Sequence, residues 1–514
     1  MNLYALTLAV IVITLLAVSL TRLGKVKTRA DYLVAGRSLP AFVLVFTLLS
    51  SWIGSGSLLG GAENAYRNGF AALWQSAGGW AGLALIYFIA PRARRFAQYT
   101  IPDLLEARYN QTARVLGVIA ILFTYTAITS YQFIGGGDIL HLVFPGALSA
   151  MQGRIIIAAF VILFTAIAGM SSVAYMDVAI GLLATFTLCL ALPVLVHRFT
   201  FANTAGWSAV RAALPATHFQ ILGNLSFAQA LELFVPTCLL MLGNQSMYQK
   251  FFSARSERDA TRAVVGWIAG TVLLETVIVA LAVAGSAIFP TGEVHDHPRE
   301  ILATIGLHGF SPAETITTLR SAGGSAIVVS TTEVLPAFAL HLGQLLGALL
   351  VGAIFAKIIS TANNYLFSPA SNLVNDIFVR YLRPAAPNRQ ILLVSRVMVV
   401  LLGLWALFQS LGTEAVLQKV LYAYTIYSAA LTPVILAAFF WKRATASAAV
   451  ASIFTGTVVT ITWQTALVHT RLPPFLAGRD AIFPALVASL LCLVLVSLVT
   501  RPPGAAHLES FAER

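Results

Sequence analysis

Charge is scarce in this chain. Asp, Glu, Lys and Arg make up 10% of the 514 residues, against 58% for the hydrophobic types. So little charge is incompatible with an ordinary water-facing surface, and apolar runs of ~20 residues, the length of a membrane-spanning helix, recur along the sequence. Acidic residues are the scarcer sign, 20 against 32 basic, giving a formal net charge of +12. The basic residues fall in short clusters between apolar runs, a pattern of membrane topology that calls for no nucleic acid. Cysteine is nearly absent. Cys189, Cys238 and Cys492 all lie in apolar runs without paired spacing or a neighbouring histidine, which excludes a disulfide framework and a zinc motif. His295 and His297 have an i, i+2 spacing but no further ligands nearby, so no metal site is assigned to them. No phosphate loop or nucleophile signature stands in a suitable context, so an enzyme is not expected.

What is present is a polytopic, all-α membrane protein. Hydropathy places thirteen spans near 3–21, 40–62, 70–91, 115–140, 153–170, 173–196, 227–249, 263–289, 336–366, 391–410, 414–440, 445–468 and 481–500. The first run, Leu3 to Leu20, lacks a basic leader and is followed by Arg22, Lys25 and Lys27, the reverse of a secretory signal, so it reads as an uncleaved span with its N-terminus outside. On that topology 22 Lys and Arg residues fall on the inner side and 9 on the outer, with Lys357 inside a span. The asymmetry follows the positive-inside rule for a cell (inner) membrane, with the tail 501–514 in the cytoplasm.

Two spans are interrupted. Trp52-Ile53-Gly54-Ser55-Gly56-Ser57 breaks the second, and Pro236 with Gly243-Asn244-Gln245 marks the seventh. Backbone groups freed at membrane depth are tolerated where they face protein or a watery cavity, and paired breaks point to a transporter's binding site. An offset of five spans inverts the second copy. The expected layout is therefore two inverted five-helix repeats, spans 2–6 and 7–11, within a transport core at 40–440. An extra helix at 1–22 precedes the core, and two C-terminal helices at 445–500 follow it.

Lys357 shares a helix face with Ser360 and Thr361, one turn on. An ammonium near a span's centre costs ~2.5 to 3.5 kcal/mol on insertion scales, so it faces a polar partner or water.

Several segments, in order along residues 1 to 470, resemble the sodium/solute symporter family. They are Ala30-Asp31-Tyr32-Leu33-Val34-Ala35-Gly36-Arg37-Ser38-Leu39-Pro40, Ser172-Val173-Ala174-Tyr175-Met176-Asp177, Tyr248-Gln249-Lys250-Phe251-Phe252-Ser253-Ala254-Arg255, Ser360-Thr361-Ala362 through Asn375-Asp376-Ile377, and Phe440-Trp441-Lys442-Arg443-Ala444-Thr445. The resemblance implies a leucine-transporter-type fold with thirteen helices and a sodium ion as coupling ion, with no other metal or cofactor. Carried over, the sodium ligands are backbone carbonyls of Ser50, Ile53 and Lys357 with the hydroxyls of Ser360 and Thr361, and Asp177 lies near the ion path. Sodium is a hard cation that takes oxygen ligands, which suits that set.

Lys357 departs from the family, which has a small residue there. Two unit charges ~4 Å apart repel by ~4 kcal/mol at an effective dielectric near 20, enough to weaken sodium binding about a thousandfold. Either the lysine turns away or pairs with Asp177 and sodium still binds, or its amine replaces the ion and transport is sodium-independent or proton-coupled. The implied function is secondary active symport of a small polar solute by alternating access. Its substrate residues would be Trp52, Ser55, Ser57, Ser130, Gln132, Asn244, Gln245 and Tyr424. Thr126 and Asn244 stand where the choline-transporting branch places tryptophans, which argues against choline. Glu232 and Glu275 lie within spans without an assigned role. The partners expected are the solute, sodium or protons, and the lipid bilayer; no obligate protein partner is evident. A membrane-embedded sensor is the alternative of another class, and it would need a separate signalling partner.

Overall fold

The computed structural model describes residues 3–23, 28–96, 99–144, 146–167, 169–201, 203–287, 334–339, 342–412, 416–463, 479–504 and 508. His295 and His297 lie outside the described residues. Nearly all regular structure is helical, apart from a short antiparallel pairing of Thr200–Phe201 with Thr204–Ala205. Among the described residues, eleven helices are long and apolar enough to cross a membrane, and two shorter apolar helices, Leu3–Ala17 and Ala41–Trp52, accompany them.

Polar residues start several helices by satisfying the first free backbone N–H groups. The Asn110 side chain accepts from Ala113 ahead of Gln111–Val143, and Ser256 accepts from Asp259 ahead of Glu257–Ser286. Ser226 and Gln229 form a reciprocal capping box at the start of Phe227–Gly243. Close helix contact then follows from small residues, as is common where lipid supplies no hydrophobic drive between helices. A Cβ added at Gly78 would lie 2.2 Å from the Phe234 carbonyl oxygen, and one at Gly82 would lie 2.6 Å from that of Cys238. This stripe seats helix Leu73–Phe96 on helix Phe227–Gly243.

Both expected interruptions are present. Helix Ala41–Trp52 stops at Ile53, whose backbone is extended, and a π-helical turn resumes at Gly56–Gly61. Helix Phe227–Gly243 stops at an extended Asn244, whose side chain caps the following helix Gln245–Ser253. Pro236 does not break its helix. It remains inside it, and its carbonyl accepts a hydrogen bond from the Ser428 hydroxyl at 2.7 Å.

The expected span 336–366 differs. Gly343, with φ of 87°, divides Val334–Ala339 from Gln344–Asn372, and the latter runs on into a π-helical segment, Leu373–Leu382. The left-handed backbone at Gly343 is what permits that division. The span expected at 414–440 turns at Leu431, between Val416–Ala430 and Thr432–Phe440, where Pro433 has no N–H to continue the ladder. Every residue from Leu350 to Asn372 is buried, placing this segment at the centre of the bundle. Helix Asn388–Ser410, in contrast, exposes Leu393, Leu401, Leu404 and Phe408 on the outside.

Candidate functional site

The first break and the central helix meet at Gly54. A Cβ there would lie 2.5 Å from the Thr361 hydroxyl oxygen, so glycine lets the two backbones approach. The Thr361 hydroxyl donates to the Ser50 carbonyl at 2.8 Å and to that of Ile53 at 3.3 Å. One turn earlier, the fully buried Lys357 ammonium donates to the Ser50 hydroxyl at 3.1 Å. That hydroxyl in turn donates to the Asp177 carbonyl at 3.3 Å.

Asp177, on helix Met170–Arg198, collects neutral donors from two elements. The Thr47 and Ser360 hydroxyls donate to its carboxylate, as does the Asn364 amide at 3.3 Å. Ser360 therefore points at Asp177 while Thr361 points at the broken helix. The five residues expected to hold an ion are brought together, with the ammonium of one of them among the oxygens.

A second buried ammonium completes the cluster. Lys250, which the sequence reading left just past the end of a span, is fully buried and donates to the Ser246 hydroxyl at 3.0 Å and to the Asn364 side-chain oxygen at 2.9 Å. Asn364 thus bridges Asp177 and Lys250. The sequence signal was the one-turn spacing of Ser246 and Lys250 directly after the Asn244 break. Two lysines and one aspartate thus meet among hydroxyl and amide dipoles.

Trp52 faces another neighbourhood. Its indole N–H donates to one Glu275 carboxylate oxygen at 2.8 Å, and the Trp80 N–H donates to the other at 2.8 Å. The Trp52 ring stacks on Tyr424, with centroids 6.1 Å apart and planes at 26°. Trp52, Ser57, Gln75, Glu275 and Tyr424 line one cavity. Three of the eight expected substrate residues therefore share it.

The other five are placed elsewhere. The Ser55 backbone N–H donates to the Gln132 side-chain oxygen at 2.8 Å, beside the break. Asn244 joins a tyrosine cluster, accepting from Tyr125 and donating to Tyr365, each at 2.8 Å. Gln245 accepts from the Ile101 backbone, and Ser130 turns back to the Ala127 carbonyl at 2.8 Å. Glu275 had no assigned role from sequence, and nothing local to Trp80 or Gln75 marks them. Their meeting depends on helices packing across the bundle, which no local spacing reveals.

A polar network closes one end of the bundle. Arg114 pairs with Asp103 and lies 3.6 Å from Asp376, which accepts from Thr100 at 2.9 Å. Arg29 reaches Asn375, and Arg380 pairs with Glu106.

The chain resembles known proteins throughout its length. A model of the sodium:solute symporter family matches residues 32–456. A sodium/proline symporter of Staphylococcus aureus is 24% identical over 496 residues, covering 93% of this chain and 88% of the relative. The version from Staphylococcus aureus strain JH9 is 25% identical over 495 residues, with the same coverage of 93% and 88%. Among solved structures, a substrate-bound, outward-open Na+-coupled sialic acid symporter aligns with a TM-score of 0.76 at 17% identity, covering 98% of this chain and 99% of that one. A nucleobase-cation-symport-1 family transporter with bromovinylhydantoin bound aligns with a TM-score of 0.52 at 12% identity, over 94% of this chain and 99% of that one. At these identities the two structural matches speak to fold.

Proposed function

The chain belongs to the sodium:solute symporter family, and on that premise we propose that it moves a small polar solute across the cell membrane by alternating access, with sodium as coupling ion. The observation that carries this reading is the convergence of the Ser50 and Ile53 carbonyls on the Thr361 hydroxyl, at 2.8 and 3.3 Å, where a broken helix meets the central one. Oxygen donors held by a discontinuous helix are the means by which such transporters bind a hard cation. In this reading Ser50, Ile53, Lys357, Ser360 and Thr361 form the ion site, and Asp177 offsets charge beside it. Spans 2–6 and 7–11 form inverted repeats within the core at 40–440, flanked by the helices at 1–22 and 445–500. The N-terminus lies outside and the tail 501–514 in the cytoplasm. The relatives named as sodium/proline symporters make proline the first solute to test.

One observation favours a second reading. Lys357 donates to the Ser50 hydroxyl beside those same carbonyls, so its ammonium can stand in for the ion, and transport is then sodium-independent or proton-coupled.

Labelled proline uptake into proteoliposomes separates the two. Accumulation driven by an inward sodium gradient, and abolished when that gradient is collapsed, supports sodium symport. Accumulation unchanged in potassium but driven by an inward proton gradient supports the lysine as substitute. Leakage-level flux of proline under every gradient counts against a proline-like solute.

A further inference from the structure

Glu275 presents a carboxylate to the cavity beside Trp52, far from either end of its helix. It is 18 residues into Glu257–Ser286, about 27 Å along the helix from its start at the usual rise per residue. Its two oxygens accept indole N–H groups from Trp52 and Trp80, and the Ser57 and Ser76 hydroxyls lie against it. All four are neutral donors. The two indoles can only donate, so both oxygens serve as acceptors. Among the described residues no lysine or arginine forms an ion pair with it. A buried carboxylate without a counter-charge is expensive, and persists where something else supplies the charge.

The rest of the wall suits a cation. The Gln75 side-chain oxygen is buried without a hydrogen-bond partner and lines the same cavity, adding a free acceptor. Trp52 and Tyr424 present stacked aromatic rings to it. Aromatic surfaces attract a positively charged nitrogen that an anion or a sugar does not offer.

We propose that this wall recognises a solute carrying a protonated nitrogen, with Glu275 as its counter-charge and Gln75 as a second acceptor. This rests on the transporter reading above and names the substrate class within it. Trp80, which holds the second carboxylate oxygen, is a positioning residue: it fixes the carboxylate so that its charge faces the cavity.

The test compares matched pairs that differ at the nitrogen: L-proline with cyclopentanecarboxylate, and putrescine with butanediol. Binding to the purified full chain is read by thermal shift and by tryptophan fluorescence, since Trp52 and Trp80 lie at the site. The nitrogen-bearing member of at least one pair is expected to bind about 30-fold or more tightly than its counterpart, and Glu275→Gln is expected to remove that preference. The wild-type comparison needs no variant to fold. Trp80→Phe, which keeps the ring and loses one donor, should weaken the preference without abolishing it. No discrimination within any pair, including no binding by either member, overturns the inference. A solute that binds regardless of Glu275→Gln yet accumulates in proteoliposomes also overturns it while leaving the transporter reading intact. Glu275-dependent binding of a nitrogen-bearing solute that never accumulates does the reverse.

Discussion

The Lys357 ammonium donates to the Ser50 hydroxyl at 3.1 Å, one turn from the Thr361 hydroxyl that spans the Ser50 and Ile53 carbonyls. The lysine nitrogen therefore sits beside the oxygens best arranged to hold a cation, and when protonated it opposes one. Replacing Lys357 by alanine should tighten sodium binding by up to about a thousandfold. Melting of the purified protein in sodium, potassium and choline chloride at constant ionic strength reads this without a known solute. A site filled to ~100 times its dissociation constant gains ~2.7 kcal/mol of apparent stability. Equal sodium stabilisation in parent and variant would show that the ammonium does not oppose the ion.

Among the described residues, Asp177 is the carboxylate beside the two buried lysines, Lys250 and Lys357. Asp177→Asn should cost about 3–5 kcal/mol, because it strands charge rather than merely losing hydrogen bonds. Adding Lys250→Met should recover part of that loss, since the bridge through Asn364 then has no ammonium to serve. A double-mutant cycle on apparent melting temperatures measures the coupling. Strict additivity would sink the idea that the two residues share one charge balance.

Gly54 touches Thr361 with no room for a methyl group. Gly54→Ala should destabilise by roughly 1–3 kcal/mol through overpacking, and should also move the Thr361 hydroxyl away from the two carbonyls. Pairing it with Thr361→Gly removes all three atoms in conflict, the hydroxyl oxygen, the methyl and Cβ, and should restore part of the stability but not ion dependence. Recovery of both on the double variant would mean that the Thr361 hydroxyl has no part in the site.

His218 lies in the segment before helix Phe227–Gly243, and its backbone packs over Gly69, which has φ of 62°. Burial pushes its imidazole below the ordinary histidine range, although its ring lies 3.3 Å from the Tyr66 carbonyl. The unfolded chain therefore binds this proton more readily than the folded one. Stability should be unaffected by this group above pH ~6.5 and fall as the pH drops below that value, levelling off beneath the lowered folded pKa. His218→Gln should flatten this part of the pH profile in melts between neutral and mildly acidic buffer. An unchanged slope would assign the acid sensitivity to other groups.

The parts of the fold legible in the sequence were those written locally. Glycine and a polar cap announced both breaks, and the spacing of Lys357, Ser360 and Thr361 placed them on one face. Pro236 leaves only one carbonyl, a turn earlier, without its usual donor, and in a membrane helix that loss need not end the helix, which here runs on to Gly243. Gly343 lies inside the span expected at 336–366, where hydropathy does not register a change of backbone hand. Lys250 falls one residue past the expected span 227–249, where a lysine ordinarily marks the interface. The meeting of Trp52, Trp80, Gln75 and Glu275 joins separate helices, and no periodicity along one chain encodes which helices will be neighbours.

Helix Gln344–Asn372 is as apolar as a lipid-facing span, yet from Leu350 to Asn372 it touches only protein. Bilayer thickness and headgroup chemistry therefore reach Lys357, Ser360 and Thr361 only through the helices around them. A photoactivated lipid carbene should mark the peptide carrying Leu393, Leu401 and Phe408 and spare the peptide from Leu350 to Asn372. The residues that handle charge are insulated from the membrane by the rest of the bundle, so a change of lipid would alter the rate at which surrounding helices move and leave the chemistry at their centre as it was.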